Sequence, residues 1–361
     1  MARAPAIGPN RRTCAVMEHH FMMADTDPVY RENRRIIETT TRTARLATRT
    51  NVIRIPVVVH VLFHTDHENI EVSQIHSQIE ALNRDYRLQN ADRSLIPEPF
   101  RVFAADTLIE FGLAVRDPDG NPTTGITRTR TSKTVFPYDS TDLQATKKLD
   151  AMIKFDGFGK SAWPSNSYLN LWTCSIAGDL LGYAQFPGGA PATDGVVILN
   201  TAFGSGGITK PRYNLGRTGV HEVGHWLNLL HIWGDDEGGC TRSDNVDDTP
   251  NQADSNGSSV RITNFPHITC NNGPNGDMFM NYMDYVDDDT MFMFTAGQLR
   301  RMNATLAGPR ASLANSMGLT PVDTPRLGTE AVAARSLEGR ILVGDERGVR
   351  PEQEFDGVSW V

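Results

Sequence analysis

Three histidines and one glutamate fall within the segment HEVGHWLNLLH at 221–231. His221 and His225 are four residues apart, so one helical turn places both imidazoles on one face. That is the spacing two nitrogen donors need to share a zinc ion at about 2.0–2.1 Å each. Glu222 stands beside the first of them, where a carboxylate can take the proton of an attacking water and pass it to a leaving group. His231 lies six residues beyond His225 and would be rotated off the shared face of a continuing helix. It joins the other two only if the helix ends and the chain turns back between 226 and 230. Three protein ligands leave a fourth position open, as in catalytic rather than structural zinc sites. Cys14, in RRTCAVMEH near the start of the chain, is a candidate for that position, because a thiolate there would displace the reacting water.

The elements that must hold these groups read as an α/β or α+β layer with a twisted, mostly parallel sheet. VIRIPVVVHVLF (52–63) is a β-branched apolar run of strand length, fit for burial on both faces. The next segment, 72–90, spaces Ile75, Ile79, Leu82 and Tyr86 as one stripe of an amphipathic helix. Further strands are expected at 109–117, 167–176 and 194–200. GYAQFPGG (182–189), broken by Pro187 and two glycines, fits an edge strand. A helix is expected from about 213 to 231, with Val220, Val223, Leu227 and Leu230 on one side, and another at 294–306. Between them, 235–290 is long, acidic and aperiodic, as a functional or cross-linked loop would be. Residues 1–50 are rich in Arg and Thr and have no core of their own. They read as a tail or as a segment lying on another domain.

The chain has 361 residues, 39% of them hydrophobic and 22% charged, with a net charge of −8. A sizeable core can form. The acidic balance argues against nucleic acid as a partner. No apolar run reaches the ~20 residues of a membrane span. The N-terminus lacks the apolar stretch of a secretory signal. The four cysteines, Cys14, Cys174, Cys240 and Cys270, are too few for a disulfide scaffold and permit one or two staples. Cys174, on an expected strand, reads as a buried free thiol. The loop after 235 is dense in hard oxygen donors, among them Asp235, Asp236, Asp244, Asp247, Asp248 and Thr249, which suits Ca2+.

HEVGHWLNLLH resembles the extended zinc motif of the metzincin metallopeptidases. With NYMDY, RIPVVVHV and GYAQFPGG, it is similar to the small microbial members of the pappalysin branch, over about residues 52–310. The family pattern has Gly where this chain has Asn228, and Asn is the non-Gly residue best suited to positive φ. The resemblance implies a zinc-dependent endopeptidase with a two-subdomain catalytic domain. Its upper part would hold the sheet and the zinc-binding active-site helix, and its irregular lower part His231 and a Met-turn at Met283. It implies a Tyr285 hydroxyl near the metal and structural calcium, with Asp244, Asp247, Asp248 and Thr249 as candidate ligands. It also implies a Cys240–Cys270 disulfide, and hence secretion.

Asp289, six residues after Met283, matches the family's pocket carboxylate, so cleavage is expected on the amino side of Arg, and less often Lys, in protein or peptide substrates. Such a substrate would lie extended along the edge strand near 182–187. The division expected is 1–50 as an inhibitory prosegment using Cys14 as a switch, 51–318 as the catalytic domain, and 319–361 as an extension, in a monomer that activates itself. Two rival readings stand beside this one. A catalytically silent zinc- and calcium-stabilised binding protein would have no use for Glu222. A three-histidine enzyme of another class, such as a hydratase, would have no use for a charged pocket.

Overall fold

A computed structural model of the chain describes residues 12–44, 49–236 and 238–322. Expectations that fall on Arg45 and on 323–361 lie outside these residues. The run at 52–63 forms β1 (Ile53–Phe63). Ile55, Val57, Val59 and Val61 face one core and Val58 and Leu62 the opposite side, so β1 is buried on both faces as its continuous apolar run requires. The other strands are β2 (Ile109–Leu113), β3 (Ile126–Arg130), β4 (Leu169–Cys174), β5 (Gly182–Ala184) and β6 (Val196–Leu199). They order as β2-β1-β4-β6-β5, with β3 also on β1. β2 pairs with the first half of β1 (Ile53 with Ile109) and β3 with the second (Val59 with Ile126), both in parallel. β4 and β6 continue the parallel sheet, and β5 runs antiparallel as the short edge strand.

The helices are α1 (Val16–Thr26), α2 (Pro28–Thr43), α3 (Val72–Tyr86), α4 (Glu98–Arg101), α5 (Ala145–Ile153), α6 (Arg217–Trp226) and α7 (Ala296–Ala307). α3 buries Ile75, Ile79, Leu82 and Tyr86 as its periodicity requires. Its polar buried side chains then hold α6: Gln78 donates to Gly216 O (3.0 Å) and the Tyr86 hydroxyl to Val220 O (3.2 Å). α5 packs on the other sheet face with Trp172, Tyr183 and Val197.

The early segment is more ordered than a tail. α2 begins at Pro28, with Asp27 accepting from the Val29 and Tyr30 amides. Tyr30, Val16 and Met22 are buried. At the other end, the chain stays bonded to the body past 318. Val115 donates to Gly318 O, and Arg116 to Thr320 O and Pro321 O, so those residues belong to the body. The contact pattern divides the chain after Pro321.

Candidate metal centre and cleft

All of α6 is buried, and it is shorter than the apolar stripe implied, starting at 217 and stopping at Trp226. The stop is local chemistry. Asn228 takes φ +74°. Its amide bonds to His225 O (2.8 Å) and the Leu229 amide to Gly224 O (3.0 Å). These two bonds make a Schellman turn, with Asn in the place usually filled by Gly. The chain therefore reverses between 226 and 230, and His231 returns to the two helical histidines.

The three imidazoles converge. His225 Nε2 lies 3.0 Å from His221 Nε2 and 3.1 Å from His231 Nε2. Each ring is fixed through its other nitrogen: His221 Nδ1 on Tyr282 O (2.7 Å), His225 Nδ1 on Leu229 O (2.8 Å) and His231 Nδ1 on Asp235 Oδ1 (2.7 Å). Because Nδ1 donates, Nε2 is left as a lone pair. Burial first, and then neighbouring imidazoles, presses the pKa values of His221 and His225 well below the ordinary histidine range. Three neutral lone pairs at this separation repel one another unless a cation sits between them. Bonds of about 2.0–2.1 Å in a tetrahedron place nitrogens about 3.3 Å apart, close to the spacing here. The donor set fits zinc.

Cys14 completes the cluster, its sulfur lying within 4.8 Å of the histidine ligand atoms. It also lies 3.2 Å from Glu222 Oε2. The Tyr285 hydroxyl donates to Cys14 O and receives the Cys14 amide, both at 3.2 Å. Leu181 donates to Thr13 O and Ala15 to Gly182 O, so the early segment runs parallel to the edge strand β5. Burial lifts the Glu222 carboxyl to about 8 against the lowering effect of Cys14 and Arg12.

Beneath the site, the turn at Met283 holds its thioether against α6. A Cβ at Gly224 would lie 2.5 Å from Met283 Sδ, so only Gly permits this approach. Trp233 stacks on His231 with ring centroids 4.3 Å apart and meets Tyr285 edge-on.

Asp289, expected at the base of the pocket, lies at the surface. Residues 288–290 form a turn of 3-10 helix, whose successive side chains fan out by about a third of a turn. Asp289 is left 66% exposed, 3.6 Å from Arg261, and Asp288 is buried. Asp288 Oδ1 accepts from Arg12 at 2.5 Å. The same guanidinium donates to Thr218 Oγ1 (3.1 Å) and Val286 O (3.2 Å) and lies over the Tyr213 ring. An arginine two residues before Cys14 is thus buried, its guanidinium held by Asp288, Thr218 and Val286.

Of the four candidate calcium residues, only two come together. The Thr249 hydroxyl lies 2.9 Å from both Asp244 oxygens. Asp248 spends both oxygens at the start of α7, on the Thr295 hydroxyl and the Gly297 amide. Asp247 is exposed. Among the described residues, the acidic loop holds no further cluster of three carboxylate, His or Cys ligands. Cys240 and Cys270 are bonded as a disulfide, and Cys174 is a buried free thiol. Sequence reasoning placed Asp235 only among loop oxygens and passed over Arg12 and Thr218. The signal for Asp235 was its place four residues after His231, within reach of that ring's second nitrogen.

Residues 155–307 match the family model described as pregnancy-associated plasma protein-A, the pappalysins. An extracellular metalloprotease of Colletotrichum graminicola is 34% identical over 256 residues, covering 65% of this chain and 84% of that protein. One from Pyricularia oryzae is 42% identical over 161 residues, covering 42% of this chain and 53% of that one, so the chain spans about half of that relative's length. Among solved structures, Tannerella forsythia mature mirolysin in complex with a cleaved peptide is 45% identical at a TM-score of 0.67, covering 74% of this chain and 98% of its own. A promirolysin mutant from the same organism is 42% identical at a TM-score of 0.73, covering 84% and 97%. With the mixed, mostly parallel sheet and the histidine cluster, these likenesses place the chain in the pappalysin family of metzincin metallopeptidases.

Proposed function

We propose that this chain is a secreted zinc endopeptidase that cuts peptide bonds on the amino side of arginine and is made latent by residues 1–50. The observation that carries the reading is the pairing of the three-histidine cluster and Glu222 with a buried acidic pocket that already holds an arginine. His221, His225 and His231 would hold the zinc, and Cys14 the fourth position in the latent chain. When bound, zinc would polarise the scissile carbonyl as a Lewis acid and acidify water. Glu222, freed from Cys14, takes the proton of the attacking water and delivers it to the leaving amine. The Tyr285 hydroxyl, freed from the Cys14 backbone, donates to the developing oxyanion. The backbone of β5 then offers the groups that now bond Thr13 and Ala15 to an extended substrate.

Specificity is assigned to Asp288 in place of Asp289. Three guanidinium nitrogens, spread in one plane, meet three separate acceptors; the three donors of a lysine ammonium share one nitrogen and cannot span them, so Arg is favoured over Lys. Support for latency comes from the pro-form of mirolysin, which covers more of this chain than the mature form does. Support for secretion comes from the relatives named extracellular and from the disulfide. Calcium is retained as a structural ligand around Asp244 and Thr249.

The test is a digest of a proteome-derived peptide mixture by processed protein, read by mass spectrometry, with Glu222→Ala as control. Arg should dominate immediately after the cut. Apolar residues at that position would overturn the pocket, and cleavage undiminished in the control would overturn the enzyme mechanism.

A further inference from the structure

We infer that Asp288 couples the arginine pocket to the metal-binding helix, so that arginine in the pocket and metal on the histidines stabilise one another. This rests on the reading of Asp288 as the pocket base. The two oxygens of this carboxylate serve different neighbours. Oδ1 receives the guanidinium of Arg12. Oδ2 receives the Leu215 amide at 2.8 Å and the Arg217 amide at 3.3 Å, at the start of α6.

That helix start has no cap of its own. Its N-cap residue is Gly216, with φ +79° and no side-chain oxygen to offer. The first amides of a helix lack intrahelical partners and favour an anion, and here a residue more than seventy positions away supplies it. His221 is one turn further along the same helix.

The guanidinium extends the connection. It bonds Thr218, in the first turn of α6, and also Val286 O, three residues past Met283. Arg217 closes the circuit, donating to Asp288 O and pairing with Asp85 and Asp92. An arginine in the pocket therefore ties the start of α6 to the segment that follows the Met-turn. The first carries His221, and the second continues back through Met283 to Tyr282, whose carbonyl accepts from His221 Nδ1. Removing the arginine leaves Thr218 and Val286 O without that tie, and removing Asp288 uncaps the helix. By reciprocity, whatever arginine adds to metal binding, metal adds to arginine binding.

The experiment uses the full chain carrying Cys14→Ala, so that no thiol contributes to metal binding, and Glu222→Gln, so that it cannot cut itself. In that background Arg12→Ala empties the pocket, and argininamide refills it. Two quantities are read: the zinc dissociation constant by chelator competition, and hydrogen exchange of the 215–221 amides in zinc-free protein. Arg12→Ala should weaken zinc about fivefold or more and speed exchange, and argininamide should restore both where citrullinamide does not. Adding Asp288→Ala should abolish the restoration and speed exchange further, whereas Asp288→Asn, which still offers an oxygen to the helix, should abolish only the restoration. If argininamide binds by calorimetry but moves neither quantity, the coupling is wrong and the pocket stands. If it does not bind, the pocket reading fails and the coupling with it.

Discussion

Asp288 and Asp289 differ by one position and by almost everything else. One is buried against a guanidinium and a helix start, and the other is two-thirds exposed. Losing one partner of a buried charged pair costs about 2–5 kcal/mol, and exposed pairs are worth about 0–1 kcal/mol. Asp288→Ala should therefore lower kcat/KM for an arginine substrate by roughly two to three orders of magnitude, and Asp289→Ala should change it by no more than about fivefold. A reversal of that ranking in steady-state kinetics would return the pocket to Asp289. Glu222→Ala should lose about 10²–10⁴ in kcat through the missing proton transfer while retaining zinc by metal analysis.

Asp244 tests calcium. Burial pushes its carboxyl up from 3.8 to about 7, so the fold favours the neutral acid. Between those two values the native state binds the extra proton, and stability falls as pH rises through that window before levelling above it. Without calcium, Asp244→Asn should raise Tm at pH 8 relative to wild type and change it little at pH 4. If a cation binds there, calcium should raise the wild-type Tm at pH 8 and leave the Asn variant unmoved. Equal calcium responses in the two proteins would exclude Asp244 as a ligand.

At the level of elements, the site depends on a turn rather than on the helix alone. Asn228 holds φ +74°, where a residue with an ordinary Cβ loses about 1–2 kcal/mol. Asn228→Gly should therefore leave Tm and zinc affinity near wild type, whereas Asn228→Ala should lower both, as checked by melting and chelator competition. The periodic elements were legible in the sequence: β1 from its β-branched run, α3 from its stripe, and α6 from histidines spaced by one turn. The turn after α6 was legible too, because three histidines can meet only if the chain reverses before His231.

What escaped has physical reasons. α5 carries two adjacent lysines in a short run, and β3 is half-exposed ITRTR, so neither shows a clean period. The loop after 235 is held by a disulfide and by buried carboxylates rather than by an apolar pattern. Asp284, for instance, accepts from Gln252, from Asn256 and from the Tyr285 amide. Which of two adjacent aspartates points inward depends on the rotation of a single 3-10 turn, which residue counting does not resolve.

At the scale of the whole molecule, residues 12–44 are fastened to the body by separate anchors. Arg12 is held by Asp288 and Thr218, and Cys14 lies at the histidine cluster. His19 bonds Asp150 (2.9 Å), Arg34 lies over the Phe186 ring and donates to Pro187 O, and Glu38 receives Arg301 of α7 at 3.0 Å. Several of these contacts are buried, so under the proposed latency the segment would leave as a unit only after a cut beyond it. Arg49, past the end of α2, bonds Thr107 O on the body. A cut before Arg45 or Arg49 would separate the anchored helices from β1 without removing any strand of the sheet. With the arginine specificity proposed above, the enzyme would make that cut itself.

Wild-type protein should therefore shorten on incubation with zinc, and N-terminal sequencing should find Arg45 or Arg49 first. Glu222→Ala should stay full length under the same conditions. Cys14→Ala should process faster, because the thiol no longer competes at the cluster. Arg12→Ala should do so as well, and the double variant faster than either, since the two anchors engage different sites. Full peptidase activity in wild-type chains still carrying residues 1–44 would refute latency while leaving the zinc assignment untouched. Processing of Glu222→Ala at the wild-type rate in purified protein would show that another peptidase makes the cut.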